Sequence, residues 1–199
     1  MRLINYIKCI LFSLTLILPL CAHTQESVIS FDLDYEFRLY GQKRYYNMLM
    51  HKTNDGGVQI DWTIFSYQKW LKGSYFISPN GLISGSELNF IQPVNGRKEY
   101  LKDSETFGLI SVSAFDSLKN TGSFVYNNTT YRLKELQTME IGEESLDVFY
   151  VIADIDDTKM WIWNNRELPI ICRIDHNPLE INFSIEKIKR IKQSSLVKK

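Results

Sequence analysis

Apolar and polar positions alternate along much of this chain. Val58, Ile60, Trp62 and Ile64 alternate with Gln59, Asp61 and Thr63, which turns one face of a strand to the core and the other to water. Ile181, Phe183 and Ile185 do the same against Asn182, Ser184 and Glu186. Between such runs come Asn54-Asp55-Gly56-Gly57, Pro79-Asn80-Gly81, Asn95-Gly96, Asn127-Asn128, Asp156-Asp157, Asn164-Asn165 and Asn177-Pro178. Asn, Asp and Gly tolerate the positive φ of tight hairpins, so these are connections between antiparallel neighbours. About nine to eleven strands fit between them, and the pattern predicts a mainly β chain built as a large antiparallel meander.

Two segments depart from that alternation. Over Asp103 to Asn120, Phe107, Ile110, Ala114 and Leu118 recur at spacings of three and four, which predicts a short helix with Asp103 or Ser104 as N-cap. One helix among many strands cannot cover two faces of a sheet, so it is expected to fill the concave side of a curved one. Asp147 to Ala153 and Met160 to Trp163 are apolar on both faces, so both must be covered, with Trp161 and Trp163 pointing opposite to Met160 and Ile162.

Composition sets the compartment and the size of the core. The 199 residues are 44% hydrophobic, 13% aromatic and 23% charged, which excludes disorder, collagen and coiled coil. Two positive charges precede the ten-residue apolar run Cys9 to Leu18, followed by Pro19 and a short segment to Thr24. That is the pattern of a secretory signal peptide over residues 1–24, too short to span a bilayer, with Ala22 and Thr24 at the small-residue cleavage positions. The expectation is an exported, periplasmic product, residues 25–199 forming a single β-rich half-barrel domain with a basic tail. Cys21 as the lipidated N-terminus of an outer-membrane lipoprotein is the alternative. Removing Arg2 and Lys8 leaves 21 basic against 23 acidic groups, a balance that argues against nucleic acid as a partner. Cys172 alone remains of the three cysteines, so the product has no intrachain disulfide and must be held by its core. Glu186 to Lys199 carries six basic groups and one acid, suited to an anionic membrane surface, or simply a solvated strand end.

Candidate chemistry is sparse. His51 and His176 have no second histidine three to five residues away, and Asp154, Asp156 and Asp157 lack the glycine and distal glutamate of a calcium loop, so a hairpin tip accounts for them better. Ser84 in Gly81 to Gly85 stands one position too late for a nucleophile elbow. Asp103 with Glu105 and Glu143 with Glu144 fit caps and exposed turns, and Cys172 in Leu168 to Cys172 fits a buried small hydrophobe. No catalytic residue, metal ligand or cofactor is assigned. An enzyme, a hydrolase of unstated type, ranks third among the readings.

A pocket remains. A curved antiparallel sheet lined by aromatic and branched side chains leaves a concavity that a helix or a ligand must occupy. Trp62, Ile64, Trp161, Trp163 and Phe183 are the candidate lining residues. An acyl chain of about twelve carbons buried there gains on the order of 10 kcal/mol at about 0.8 per methylene, against an association cost of at least about 4.

The order of segments carries a resemblance. Glu105 to Ser111 (ETFGLIS), Ala114 to Leu118 (AFDSL), Met160 to Ile174 (MWIWNNRELPIICRI) and Leu179 to Ile188 (LEINFSIEKI) resemble an uncharacterised family of secreted bacterial domains. Leu168-Pro169 with the following Ile170 is the firmest match. The resemblance implies a fold similar to the periplasmic lipoprotein carriers of the LolA and LolB type, an antiparallel half-barrel with helix in its hollow. Those relatives bind acyl chains, and the family brings no catalytic residue with it. The leading expectation is therefore a non-enzymatic binding protein for a lipid or other apolar small molecule. The alternative is a cell-envelope interaction module with a fully packed core, meeting a partner protein through Asp147 to Trp163 or the basic tail.

Overall fold

The computed structural model describes residues 29–192; the expected leader, Cys21 and the last seven residues of the basic tail lie outside that range. Thirteen strands and two helices follow in chain order. The first half contributes β1 (Ile29–Leu39), β2 (Gln42–Lys52), β3 (Val58–Ser66), β4 (Lys69–Ile77), α1 (Pro79–Ser84), β5 (Glu87–Leu88), β6 (Lys98–Tyr100) and β7 (Glu105–Thr106). The second contributes α2 (Val112–Thr121), β8 (Ser123–Tyr126), β9 (Thr129–Ile141), β10 (Glu144–Ala153), β11 (Lys159–Trp163), β12 (Ile171–Asp175) and β13 (Ile181–Lys192).

Eleven strands form one open sheet in the order β6-β4-β3-β2-β1-β13-β12-β11-β10-β9-β8. Two meanders run outward from the centre, where the first and last strands pair over their whole lengths. Every neighbouring pair is antiparallel except β4 and β6, because the chain reaches β6 after a long excursion rather than a hairpin. The alternation sets the inner face: Phe31, Leu33, Tyr35 and Phe37 on β1, Tyr46, Met48 and Met50 on β2, and Val58, Ile60, Trp62 and Ile64 on β3 are all buried. Glu186 is an extra residue in β13 opposite the Asp34–Tyr35 step, and this bulge keeps Ile188 on the same buried face as Phe183 and Ile185.

The sheet is curled. Gly142, in the turn between β9 and β10, lies against Lys187 of β13, where an added Cβ would be 3.5 Å from Cγ. Glu144 of β10 reaches Arg190 at 3.7 Å. Three strand intervals separate β10 from β13, about 14 Å in a flat sheet. The short β12 pairs with β13 only at Arg173–Ser184 and Ile174–Phe183, so the strands on either side can converge beyond it.

The excursion from Ser78 to Gly122 joins the two outer ends of the sheet and covers its inner face. The sequence predicts a helix from Asp103, but α2 begins at Val112. Phe107 and Gly108 bend the chain and Leu109 bridges Ile170, with the Ile171 N–H donating to the Gly108 carbonyl (2.9 Å) and the Ile110 N–H to the Pro169 carbonyl (3.1 Å). Gly108 sits at φ +68°, which permits that course. Ser111 is the N-cap, its Oγ accepting from the Ala114 N–H, and Gly122 at φ +74° ends the helix. Phe115 of α2 meets Phe149 of β10 edge to face at 5.6 Å. Pro79-Asn80-Gly81, expected as a hairpin turn, instead opens α1: Ser78 caps the Gly81 N–H and Pro79 occupies the first helical position, where its missing donor costs nothing. Asp103 accepts from Ser78 Oγ (2.5 Å) and Asn80 Nδ2 (3.1 Å), pinning α1 from across the excursion.

Candidate functional site

On the inner face, beneath the connection between β5 and β6, lies a cavity of about 390 Å³. Phe37 and Leu39 of β1, Arg44, Tyr46 and Met48 of β2, Tyr75 of β4 and Ile181 of β13 form its walls, and Phe90 to Pro93 with Phe107 form its cover. Alternation explains the walls, because all of these strand residues fall on the buried parity of their strands. The Tyr75 hydroxyl donates to the Ile91 carbonyl at 3.3 Å and its ring meets Phe107 at 4.7 Å, which fastens the cover to the sheet. Phe37 stands edge to face with Tyr46 at 5.1 Å. Burial raises the Tyr46 phenol, opposed by the nearby Arg44 charge.

The sheet parts beside this cavity. β2 and β3 pair from Lys52–Val58 to Asn47–Thr63 and no further, so the tips of the β1–β2 and β3–β4 hairpins separate. Over the parting, on the outer face, runs a groove of about 920 Å³ lined by Asp34, Glu36, Lys43, Tyr45, Phe65 and Trp70 among others. Arg44 and Tyr46 border both the groove and the inner cavity. Glu36 accepts from Arg38 Nε (2.8 Å), Lys43 Nζ (2.9 Å) and the Tyr45 hydroxyl (3.0 Å). The bonds from Lys43 and Arg38 hold its carboxyl down to about 2.

The five residues predicted as lining fall in different places. Phe183 is buried behind the cavity wall, 5.1 Å from Phe37. Trp62 is equally deep, 6.2 Å from the wall residue Tyr75. Ile64 borders the outer groove. Trp161 is on the outer face, stacked on Tyr150 at 4.8 Å, covered by the Arg173 guanidinium at 4.9 Å and donating from Nε1 to Gln137 Oε1. Trp163 lies at the curled end of the sheet, edge to face with Phe31 and 5.4 Å below Arg190. The doubly apolar stretch around it thus meets α2 through Phe149 on one face and carries the Tyr150–Trp161 stack, with Arg173 and Gln137 of neighbouring strands over it, on the other. Sequence reasoning missed Phe37, Tyr46 and Met48, although the alternation of β1 and β2 marks them. It had no signal for Phe90 to Pro93, which lie in an irregular connection.

The polar clusters are accounted for by local structure. The single Nε–H of Arg132 is shared between the two carboxylate oxygens of Asp154, and Asp156 accepts from the Thr158 N–H at the β10–β11 tip. Glu105 accepts from the Lys102 N–H. Burial pushes the Cys172 thiol up to about 12. Among the described residues no three His, Cys, Asp or Glu side chains are grouped to hold a metal ion, and no helix is long and apolar enough to cross a membrane.

Fold and cavity together define a class, a mainly β chain whose large open sheet curls around an inward-lying excursion that carries both helices and the small parallel pair β5–β7. Comparison of the chain with protein-family models, curated proteins and solved structures gives no match.

Proposed function

We propose that this chain is an exported, non-enzymatic binding protein that carries a lipid or another apolar ligand in the hollow of a half-barrel similar to that of the LolA and LolB carriers. The supporting observation is the inner cavity of about 390 Å³, walled by aromatic and aliphatic side chains and capped by a connection rather than by a regular element. That volume lies within the range of small-molecule sites, at its lower end. The connection is anchored at its ends, by the Asn89 N–H on the Thr106 carbonyl and the Gly96 N–H on the Lys72 carbonyl, while Phe90 to Pro93 between them are held by the one Tyr75 bond and can lift without disturbing the strand ladders. The leader pattern in the sequence is what supports periplasmic residence in this reading.

The second reading, an envelope interaction module, draws on the outer face. Tyr45, Phe65, Tyr67 and Trp70 are all exposed at the tips flanking the parting, and aromatic side chains are enriched at protein interfaces. Native mass spectrometry of protein purified without detergent, followed by organic extraction, separates the two. A co-purifying apolar species of a few hundred daltons is expected; a ligand-free chain that also ignores fluorescent fatty acids would leave only the interaction module.

A further inference from the structure

We propose that the inner cavity takes a single-chain amphiphile with an anionic headgroup, the headgroup held by Arg44 where β2 and β3 part. This rests on the apolar-ligand reading and adds the charge and placement of the ligand's head. Among the residues that line the cavity, Arg44 is the single charged side chain, and no carboxylate joins it. Among the described residues it takes part in no ion pair, whereas the neighbouring Lys43 and Arg38 are both committed to Glu36. It stands opposite Phe37 in the β1–β2 register and lines the cavity edge beside Tyr46.

The parting gives this arginine its second property. With a two-residue turn at Tyr40-Gly41, the Leu39–Gln42 pair closes the hairpin, so the backbone groups of alternate residues Lys43 and Tyr45 point toward β3. Pairing with β3 stops at Asn47, which leaves the next position, Tyr45 opposite Phe65, open. Arg44 lies between these two residues and borders both the cavity and the outer groove. A head held there stays in water while its tail lies inside. Of the carboxylates of the groove, Asp34, Glu36 and Glu186, the one beside Arg44's register partner Phe37 is Glu36, and it is already engaged by Lys43 and Arg38. The cavity holds on the order of a dozen non-hydrogen atoms at roughly 30 Å³ each, which is room for the alkyl chain of a ten-carbon amphiphile. Arg44 is exposed to water, so a neutral head leaves it hydrated and gains no charge-assisted bond from it, and a cationic head would be repelled.

Calorimetric titration of the detergent-free chain with monomeric decanoate, 1-decanol and decyltrimethylammonium tests this. Decanoate is expected to bind at one site, about tenfold or more tighter than 1-decanol, with the cationic probe weakest, given the strength of charge-assisted hydrogen bonds. Arg44→Gln should bring decanoate down to the level of 1-decanol while leaving 1-decanol unchanged. Equal binding of decanoate and 1-decanol, or a decanoate preference that survives Arg44→Gln, would overturn the headgroup assignment and leave the apolar site standing. Binding of none of the three would remove both. If Arg44→Gln loses 1-decanol as well, Arg44→Lys decides: a retained preference for decanoate supports the assignment and a lost one overturns it.

Discussion

Tyr126 and Tyr35 are both buried phenols, yet their hydroxyls have opposite circumstances. Tyr126 accepts from the Ser111 N–H at 2.7 Å and lies 3.3 Å from Thr106 Oγ1, so it joins β8 to the N-cap of α2. The Tyr35 hydroxyl has no partner among the described residues, and burial raises its pKa far above the usual phenol value. Tyr126→Phe should therefore cost about 1–3 kcal/mol by stranding a buried backbone donor, while Tyr35→Phe should be neutral or stabilising by up to about 1 kcal/mol. Urea midpoints of the two variants check the order, and Tyr35→Phe as the more damaging change would refute it. Glu36 gives a pH signature at the same scale. Its folded-state pKa, held down by Lys43 first and Arg38 second, is near 2 against an ordinary 4.5. The network's stabilisation is complete above the ordinary value and is lost as pH falls toward the lower one. Glu36→Gln should be less stable than the wild-type chain at pH 7, and thermal melts should show that gap closing toward pH 2.

The elements divide by how local their causes are. Asn127-Asn128, both at positive φ, make the β8–β9 turn that their side chains advertise. Tyr67-Gln68 make the β3–β4 turn at φ values of 50° and 61° with residues that carry no such signal, and the flanking ladders impose that geometry. The start of α2 was misplaced for a similar reason: spacing alone suits a helix from Asp103, but the backbone of Phe107 to Ile110 is already engaged with the stretch Leu168 to Ile171. Gly73 of β4 shows an element shaped by its neighbour. A Cβ there would sit 2.6 Å from the Trp62 ring and 2.8 Å from the Arg97 carbonyl, so the missing side chain is what lets the indole lie flat on the inner face. Gly73→Ala should cost about 1–3 kcal/mol through overpacking against a ring and a backbone oxygen that cannot both retreat. A melting temperature equal to wild type would contradict that packing.

At the scale of the molecule, the pairing of β1 with β13 turns two separate meanders into one sheet, and the curl at the β9–β10 tip gives that sheet an inside. The single large sheet, its approximate strand count and the helix within its hollow were legible because alternation and turn residues are local signals. The cavity was only half legible. Trp62 and Phe183 lie one residue behind its wall, but its cover is an irregular stretch, and its position depends on where β2 and β3 separate, a tertiary outcome no spacing encodes. The basic run after Glu186 also changes meaning in the fold, since Lys187 and Lys189 pair in register with Asp34 and Asp32. Whether the hollow is a binding site is tested by titrating a dansyl-labelled fatty acid into the wild-type chain and into Leu39→Trp, which places a larger ring in the cavity from a half-buried wall position. Saturation at one label per wild-type chain, and at least about tenfold weaker binding by an equally stable Leu39→Trp, is expected. Equal binding by both chains, or none by either, would contradict a ligand site at this cavity.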